Sequence, residues 1–226
     1  MTPTTVRTFV PRNERERLMV AFADLVLERG YACTDLTHLA HATGAPLAEI
    51  AALWSSEEEC AIATLDACAE RVFSRVAQTV MHTGADYPSA AHQGLRALLC
   101  DLAGMPAMVH LAVIELPHAS AATRDRAERW FAQFAEFLGP AFAARETSTP
   151  DVELVRLMLG GGLLGVLRQH ALERRVSQLP EALPAISYMC LSTFFGVDEA
   201  RRVLRLDARP GNGLAAPARW AAPGSR

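Results

Sequence analysis

Residues 36–54 constrain this chain more than any other stretch. They read Leu-Thr-His-Leu-Ala-His-Ala-Thr-Gly, followed by Ala-Pro-Leu-Ala-Glu-Ile-Ala-Ala-Leu-Trp. Leu36, Leu39 and Ala40 recur at the i, i+3, i+4 spacing of one buried helix face. Gly44 can take the positive φ that ends a helix. Ile50, Leu53 and Trp54 repeat the apolar spacing beyond it. The pattern predicts two short helices joined by a tight turn, the second from about Leu47 to Leu53. Such a pair can offer its second helix to a DNA major groove.

The flanks extend the helical pattern. Asn13 is placed to cap a first helix running to Arg29, which Gly30 stops. Thr34 or Asp35 caps the second. Ser56-x-x-Glu59 reads as a capping box opening a fourth helix to about His82, with Glu57, Glu58 and Glu59 in its first turn. Beyond a loop at Thr83–Pro88, helices are expected over Ser89–Ala103, from Pro106 to a stop at Pro117, and over Ser120–Ala144, Asp151–Arg174, Pro180–Phe195 and Asp198–Leu206. Alternating apolar and polar runs are absent, so no strand is predicted. The expected fold is all-α. Residues 1–55 form a three-helix helix-turn-helix head, with residues 1–12 as a flexible arm. Residues 56–206 form a helical bundle for ligand binding and dimerisation, and residues 207–226, rich in Pro, Gly and Ala, a disordered tail.

Half of the 226 residues are hydrophobic, enough for a sizeable core. Residues 1–17 hold Arg7, Arg12, Arg15 and Arg17 with no signal-type apolar run behind them, and no window has the ~18 apolar residues that span a bilayer. A cytoplasmic protein without a membrane partner is the expectation. The five cysteines (Cys33, Cys60, Cys68, Cys100, Cys190) include no C-x-x-C pair, so buried thiols are expected rather than a disulfide framework or a zinc site.

The N-terminal stretch resembles the DNA-binding domain of the tetracycline-repressor (TetR) family of one-component regulators. The matching positions are Ala21, Leu25, Leu27, Gly30-Tyr31, Thr34, Leu36, Leu39-Ala40, Gly44, Ile50, Trp54 (usually Phe) and Ser56. The resemblance extends over roughly residues 10–205 and implies a ligand-responsive transcriptional regulator, most often a repressor. It would bind a palindromic operator on double-stranded DNA as a homodimer. It also implies DNA-facing positions, here Arg12, Arg15, Arg17, Thr34, Thr37, His38, Pro46, Leu47, Ala48, Glu49 and Ala51.

The sequence departs from the family at the positions that grip phosphate. Pro46 stands where the family has a capping Ser, Ala51 where it has a phosphate-donating Tyr, and Glu57 where it has Lys. All 22 cations of the chain are arginine, so an acid at position 57 is not explained by a missing lysine. Residues 1–19 carry four Arg against two Glu, net +2, and residues 20–60 carry Arg29 against seven acids, net −6. Phosphate neutralisation supplies most non-specific DNA affinity. Two readings therefore stay open: an operator-binding regulator, and a dimer of the same fold that no longer reads DNA and acts through small-molecule or protein binding.

The resemblance also implies an effector cavity among the later helices. Its expected lining is Cys68, Phe73, Cys100, Met105, Met108, His110, Ile114, Trp130, Phe134 and Met158, with Leu65 and His118 as further candidates. This inventory suits a small apolar, aromatic or amphipathic effector. The last two long helices, Asp151–Arg174 and Pro180–Phe195, are expected to pair with their two-fold mates. Gly160–Gly162 would cost a lone helix about 1 kcal/mol each relative to Ala, which close approach of another backbone, or a local kink, would explain. No catalytic motif, metal-ligand frame or nucleotide fingerprint is present, so neither an enzyme nor a cofactor is expected.

Overall fold

The computed structural model of the chain describes residues 9–84, 86–137 and 152–207. Helix α1 runs over Glu14–Arg29, α2 over Leu36–Thr43, α3 over Leu47–Leu53, α4 over Glu57–His82 and α5 over Tyr87–Ala103. Helix α6 starts as Pro106–His110, widens into a π-turn at Leu111–Glu115 and ends as Leu116–Ala119. Helix α7 covers Ala121–Phe137 and α8 Val152–Leu172. A 3₁₀ stretch, Val176–Ala182, leads into α9 at Leu183–Phe195, and α10 closes the described chain at Val197–Asp207. No strand occurs among the described residues.

Local chemistry explains most boundaries. The Asn13 side chain accepts from the Glu16 N–H, and Asp35 accepts from the His38 N–H in a reciprocal capping box. Each such cap contributes about 1 kcal/mol. Gly44 sits in the left-handed region at φ 71°, where its N–H reaches the Ala40 carbonyl and ends α2. Ser56 caps α4 through the Glu59 N–H, but the Glu59 carboxylate turns back to Ser55 rather than to Ser56, so the expected box is only half formed.

Three expected boundaries are corrected. Helix α5 begins at Tyr87, not Ser89, because Asp86 caps it and Pro88 falls in the first turn, where a missing N–H costs nothing. Pro117 does not end α6. The π-turn just before it loosens the backbone where the proline ring would meet the preceding carbonyls, and the helix continues to Ala119. Pro180 lies inside the 3₁₀ stretch, so α9 starts three residues later than expected. The expected arm (1–8), the end of the Ser120–Ala144 helix and the tail (208–226) lie outside the described residues.

The first three helices pack around Leu18, Met19, Phe22, Val26, Leu39, Ile50 and Trp54, all nearly inaccessible. Helix α1 also lies against α4 and α6, and one buried cluster continues from Leu18 to Phe194 without interruption. The start of the chain is therefore held directly by the helices that follow. The axes of α5 and α6 meet at 98° around Gly104–Met105, and a cavity lies between these helices and α4, α7 and α8. No single described helix is long and apolar enough to cross a membrane.

Candidate functional site

The helix-turn-helix surface comes first. In α3 only Ile50 is buried; Leu47, Ala48, Glu49, Ala51, Ala52 and Leu53 face outward. Leu47 and Leu53 are 45% and 40% exposed. The outward face of this helix thus offers methyl groups and one carboxylate, with Pro46 at its start providing no side-chain cap. Glu57 is exposed at the next helix start.

The expected cationic contacts are occupied by the protein's own groups. Arg12 Nε and Nη2 donate to Glu16 Oε1 at 2.9 and 2.5 Å. That pairing holds the Glu16 carboxyl below its ordinary pKa. Arg17 Nε donates to Glu14 Oε2 at 2.8 Å. The Arg15 guanidinium lies 5.6 Å from the centre of the Trp54 ring. Thr34 is 4% exposed and its hydroxyl donates to the Gly30 carbonyl, so it locks the turn after α1 instead of facing outward. His38 is half-buried and engaged in the Asp35 capping box, while Thr37 is exposed.

The second candidate is the cavity between α4, α5, α6, α7 and α8. It has a volume of about 90 Å³ and an entirely apolar lining. Cys68 and Phe73 from α4, Met108 from α6 and Trp130 from α7 contribute walls, as does Leu65. Sequence reasoning missed Ala69, Val72, Leu98, Leu102, Val109, Ala112, Val113, Ala127, Phe131, Leu163 and Leu167, which complete the lining. All but Phe131 are common aliphatic core residues, and nothing in their spacing separates a cavity wall from an ordinary core.

Other expected lining residues lie elsewhere. Met105 is buried beside the wall, with its sulfur 3.8 Å from Cys68 Sγ. Cys100 is half-buried on α5 and Ile114 half-buried in the π-turn, neither facing the cavity. His110 instead reaches Glu115, Nε2 to Oε1 at 3.3 Å, and Glu115 Oε2 accepts the Tyr31 N–H from the turn between α1 and α2. His110 therefore belongs to a link between α6 and the helix-turn-helix. His118 is exposed at the end of α6. Met158 is 67% exposed on α8, pointing away from the cavity, because its neighbour Leu159 takes the inward position. The Phe134 side chain lies outside the described residues.

Polar groups meet the cavity only behind its aromatic wall. Trp130 stacks on Phe73 at 5.5 Å between centroids and 20° between planes. The Trp130 indole N–H donates to Asp66 Oδ1 at 2.8 Å, and Arg126 grips both Asp66 oxygens at 2.6 Å. Burial pushes the Cys68 thiol up to about 12 and the Cys60 thiol likewise to about 12, so neither is a reactive thiolate at neutral pH. No group of three or more His, Cys, Asp or Glu among the described residues can hold a metal ion.

A third surface lies on α8 and α9. Leu154, Leu157, Met158, Gly161, Gly165 and Leu172 share the exposed side of α8, with Tyr188 and Met189 exposed on α9. Helix α8 runs through Gly160–Gly162 without a break. Among the described residues, a Cβ on Gly161 or Gly165 would meet no atom of another element within 4 Å, and one on Gly162 would lie 3.5 Å from Met189 Cε. Packing among the described residues thus gives no reason for glycine at 161 or 165.

No family model and no curated protein matches this sequence. Solved structures do match in fold. The fatty acid degradation regulator FadR from Bacillus halodurans superposes with a TM-score of 0.71 at 14% identity, over 82% of this chain and 99% of that one. The transcriptional regulator FadR from Bacillus subtilis, in complex with stearoyl-CoA, superposes with a TM-score of 0.68 at 14% identity, over 80% and 97%. At that identity the likeness is one of architecture, and the architecture of this chain is the helical, TetR-like fold of such regulators.

Proposed function

We propose that this protein is a ligand-responsive transcriptional regulator, a repressor that binds a palindromic operator as a homodimer. Residues 1–55 act as the DNA-reading head and residues 56–206 as the effector-binding and dimerising body. The reading rests on one observation above all: a turn-linked helix pair, α2 and α3, with α3 almost wholly outward, tied through α1, α4 and α6 to an apolar cavity. The exposed apolar stripe of α8 and α9, with its open glycines, supports a two-fold partner. Two heads so related would sit about 34–36 Å apart, one turn of B-DNA. An effector in the cavity shifts that spacing only by its differential affinity for the two states.

The apolar cavity calls for an apolar or aromatic effector body, because any polar group placed there would lose its water without gaining a partner. The stearoyl-CoA of the B. subtilis neighbour has one such portion, its acyl chain. Tyr31, held by Glu115 of the π-turn, is a direct route from the cavity helix α6 to the head.

One set of contacts favours a second reading, a dimer that no longer reads an operator. Arg12 and Arg17 are neutralised within the chain, and α3 presents Leu47, Ala48, Ala51 and Leu53 with Glu49. Selection of genomic fragments by the purified protein, followed by a salt titration with competitor DNA, separates the two. The regulator reading expects an enriched palindrome whose binding survives competitor at physiological salt. Absence of any shift at any salt overturns it in favour of the second reading.

A further inference from the structure

The cavity is too small for the ligand it is proposed to take. Its volume is about 90 Å³, whereas an apolar cavity of about 150 Å³ holds a single benzene and ordinary ligand pockets begin near 300 Å³. The cavity, partly open at its edge, is therefore too narrow for such a ligand, and some wall must move for an effector to fit. Most of the lining cannot move cheaply: Leu65, Leu98, Met108, Val109, Val113 and Leu163 are buried in the continuous core. The aromatic wall differs. Phe73, Trp130 and Phe131 are only half-buried.

Trp130 stands between the cavity and solvent, and a single polar cluster holds it there. Its N–H is fixed by Asp66 on α4, Asp66 is gripped in two places by Arg126 on α7, and the Arg126 guanidinium lies 5.6 Å from the centre of the Trp130 ring. The side chains of Asp66 and Arg126 are 24% and 34% exposed, so the cluster sits where α4 and α7 meet water. Two charge-assisted bonds and one indole bond thus join the two helices across the aromatic wall. Glu70, one turn along α4, adds a second negative charge near the guanidinium.

We propose that Asp66, Arg126 and Trp130 form a latch whose closed state keeps the effector cavity narrow, and that its opening, with α7 swinging away from α4, widens the cavity for the ligand. All three groups satisfy one another, so they act as positioning residues for access and contribute no bond to an uncharged ligand inside. Because the ion pair exists in the closed state and breaks in the open one, weakening it speeds ligand association more than it changes affinity through contact. The proposal rests on the cavity being the effector site.

The test uses the full chain without DNA and the uncharged fluorescent probe N-phenyl-1-naphthylamine, mixed rapidly and followed by its emission rise. Arg126→Gln, which removes the ion pair, should raise the association rate about tenfold, and Asp66→Ala, which also frees the indole N–H, should raise it further. Asp66→Asn keeps an acceptor for the indole and should fall between. The exchanged pair Asp66→Arg with Arg126→Asp restores an ion pair but gives the indole no acceptor, so it should return the rate only part of the way toward wild type. Arg202→Gln breaks an ion pair with Asp86 far from the cavity and controls for general loosening; it should leave the rate unchanged. Equal rates in wild type and the latch variants, or an equal rise in Arg202→Gln, overturn the latch. A wild type that excludes the probe while the variants bind it supports the latch. If no variant binds any probe, the cavity reading falls as well, an outcome distinct from equal and measurable rates.

Discussion

Replacing Glu57 with Lys and Ala51 with Tyr tests the chemistry of the head most directly. Both positions are exposed, Glu57 at the first turn of α4 and Ala51 in the last turn of α3. The cation side chains nearest this surface are already committed: Arg12 to Glu16, Arg17 to Glu14 and Arg15 to the Trp54 ring. The wild-type head therefore starts with few free phosphate partners. Glu57→Lys removes one repulsive carboxylate and adds one cation per protomer, two new phosphate contacts per dimer. Each contact steepens the dependence of log K on log salt by about 0.9, so the slope should grow by about 1.8. Between 50 and 200 mM salt, that extra slope amounts to about tenfold in affinity. Ala51→Tyr adds a neutral hydroxyl donor, which should raise affinity without altering the slope. Fluorescence anisotropy on a labelled duplex, titrated at four salt concentrations, measures both quantities. If the double variant binds with the wild-type slope, position 57 does not face phosphate and the docking geometry assigned to α3 is wrong. Control circular dichroism should be unchanged, since neither side chain is buried.

Two further predictions concern stability and assembly. His92 is buried against Ser187, its Nδ1 2.8 Å from the serine oxygen, and burial first, then the nearby Arg96, lowers its pKa from 6.5 to about 4. The unfolded chain binds this proton more readily than the folded one, so stability is fully present above pH 6.5 and falls as pH drops toward 4, by about 3 kcal/mol. Urea melts across that window should show the decline in wild type and lose it in His92→Asn; parallel curves refute the assignment. Gly165→Leu places a side chain where the described residues offer no atom within 4 Å, so the helix should retain its circular dichroism while the proposed dimer dissociates in sedimentation velocity. A dimer of undiminished affinity would place the interface elsewhere.

Much of the fold was legible because its signals are local. Asn13, Asp35, Gly30 and Gly44 mark helix ends through their own backbone bonds, and α3 falls on Leu47–Leu53 as its apolar spacing predicts. Pro88 and Pro117 were misread for one shared reason. A proline forbids a bond four residues back, but whether the chain stops or adapts depends on a cap such as Asp86 or a π-turn such as Leu111–Glu115, which neighbouring helices stabilise.

By itself, the sequence determined the helices, the helix-turn-helix pair and the acidic charge of residues 20–60, since periodicity, capping and charge are properties of adjacent residues. Tertiary structure alone decided that Thr34 is buried, that Met158 faces out while Leu163 lines the cavity, and that Asp66 on α4 meets Arg126 and Trp130 on α7. The last of these partners are 60 and 64 residues apart. Such contacts arise from the angles at which helices cross, and a one-dimensional pattern of apolar residues specifies which face is buried but not what that face will meet.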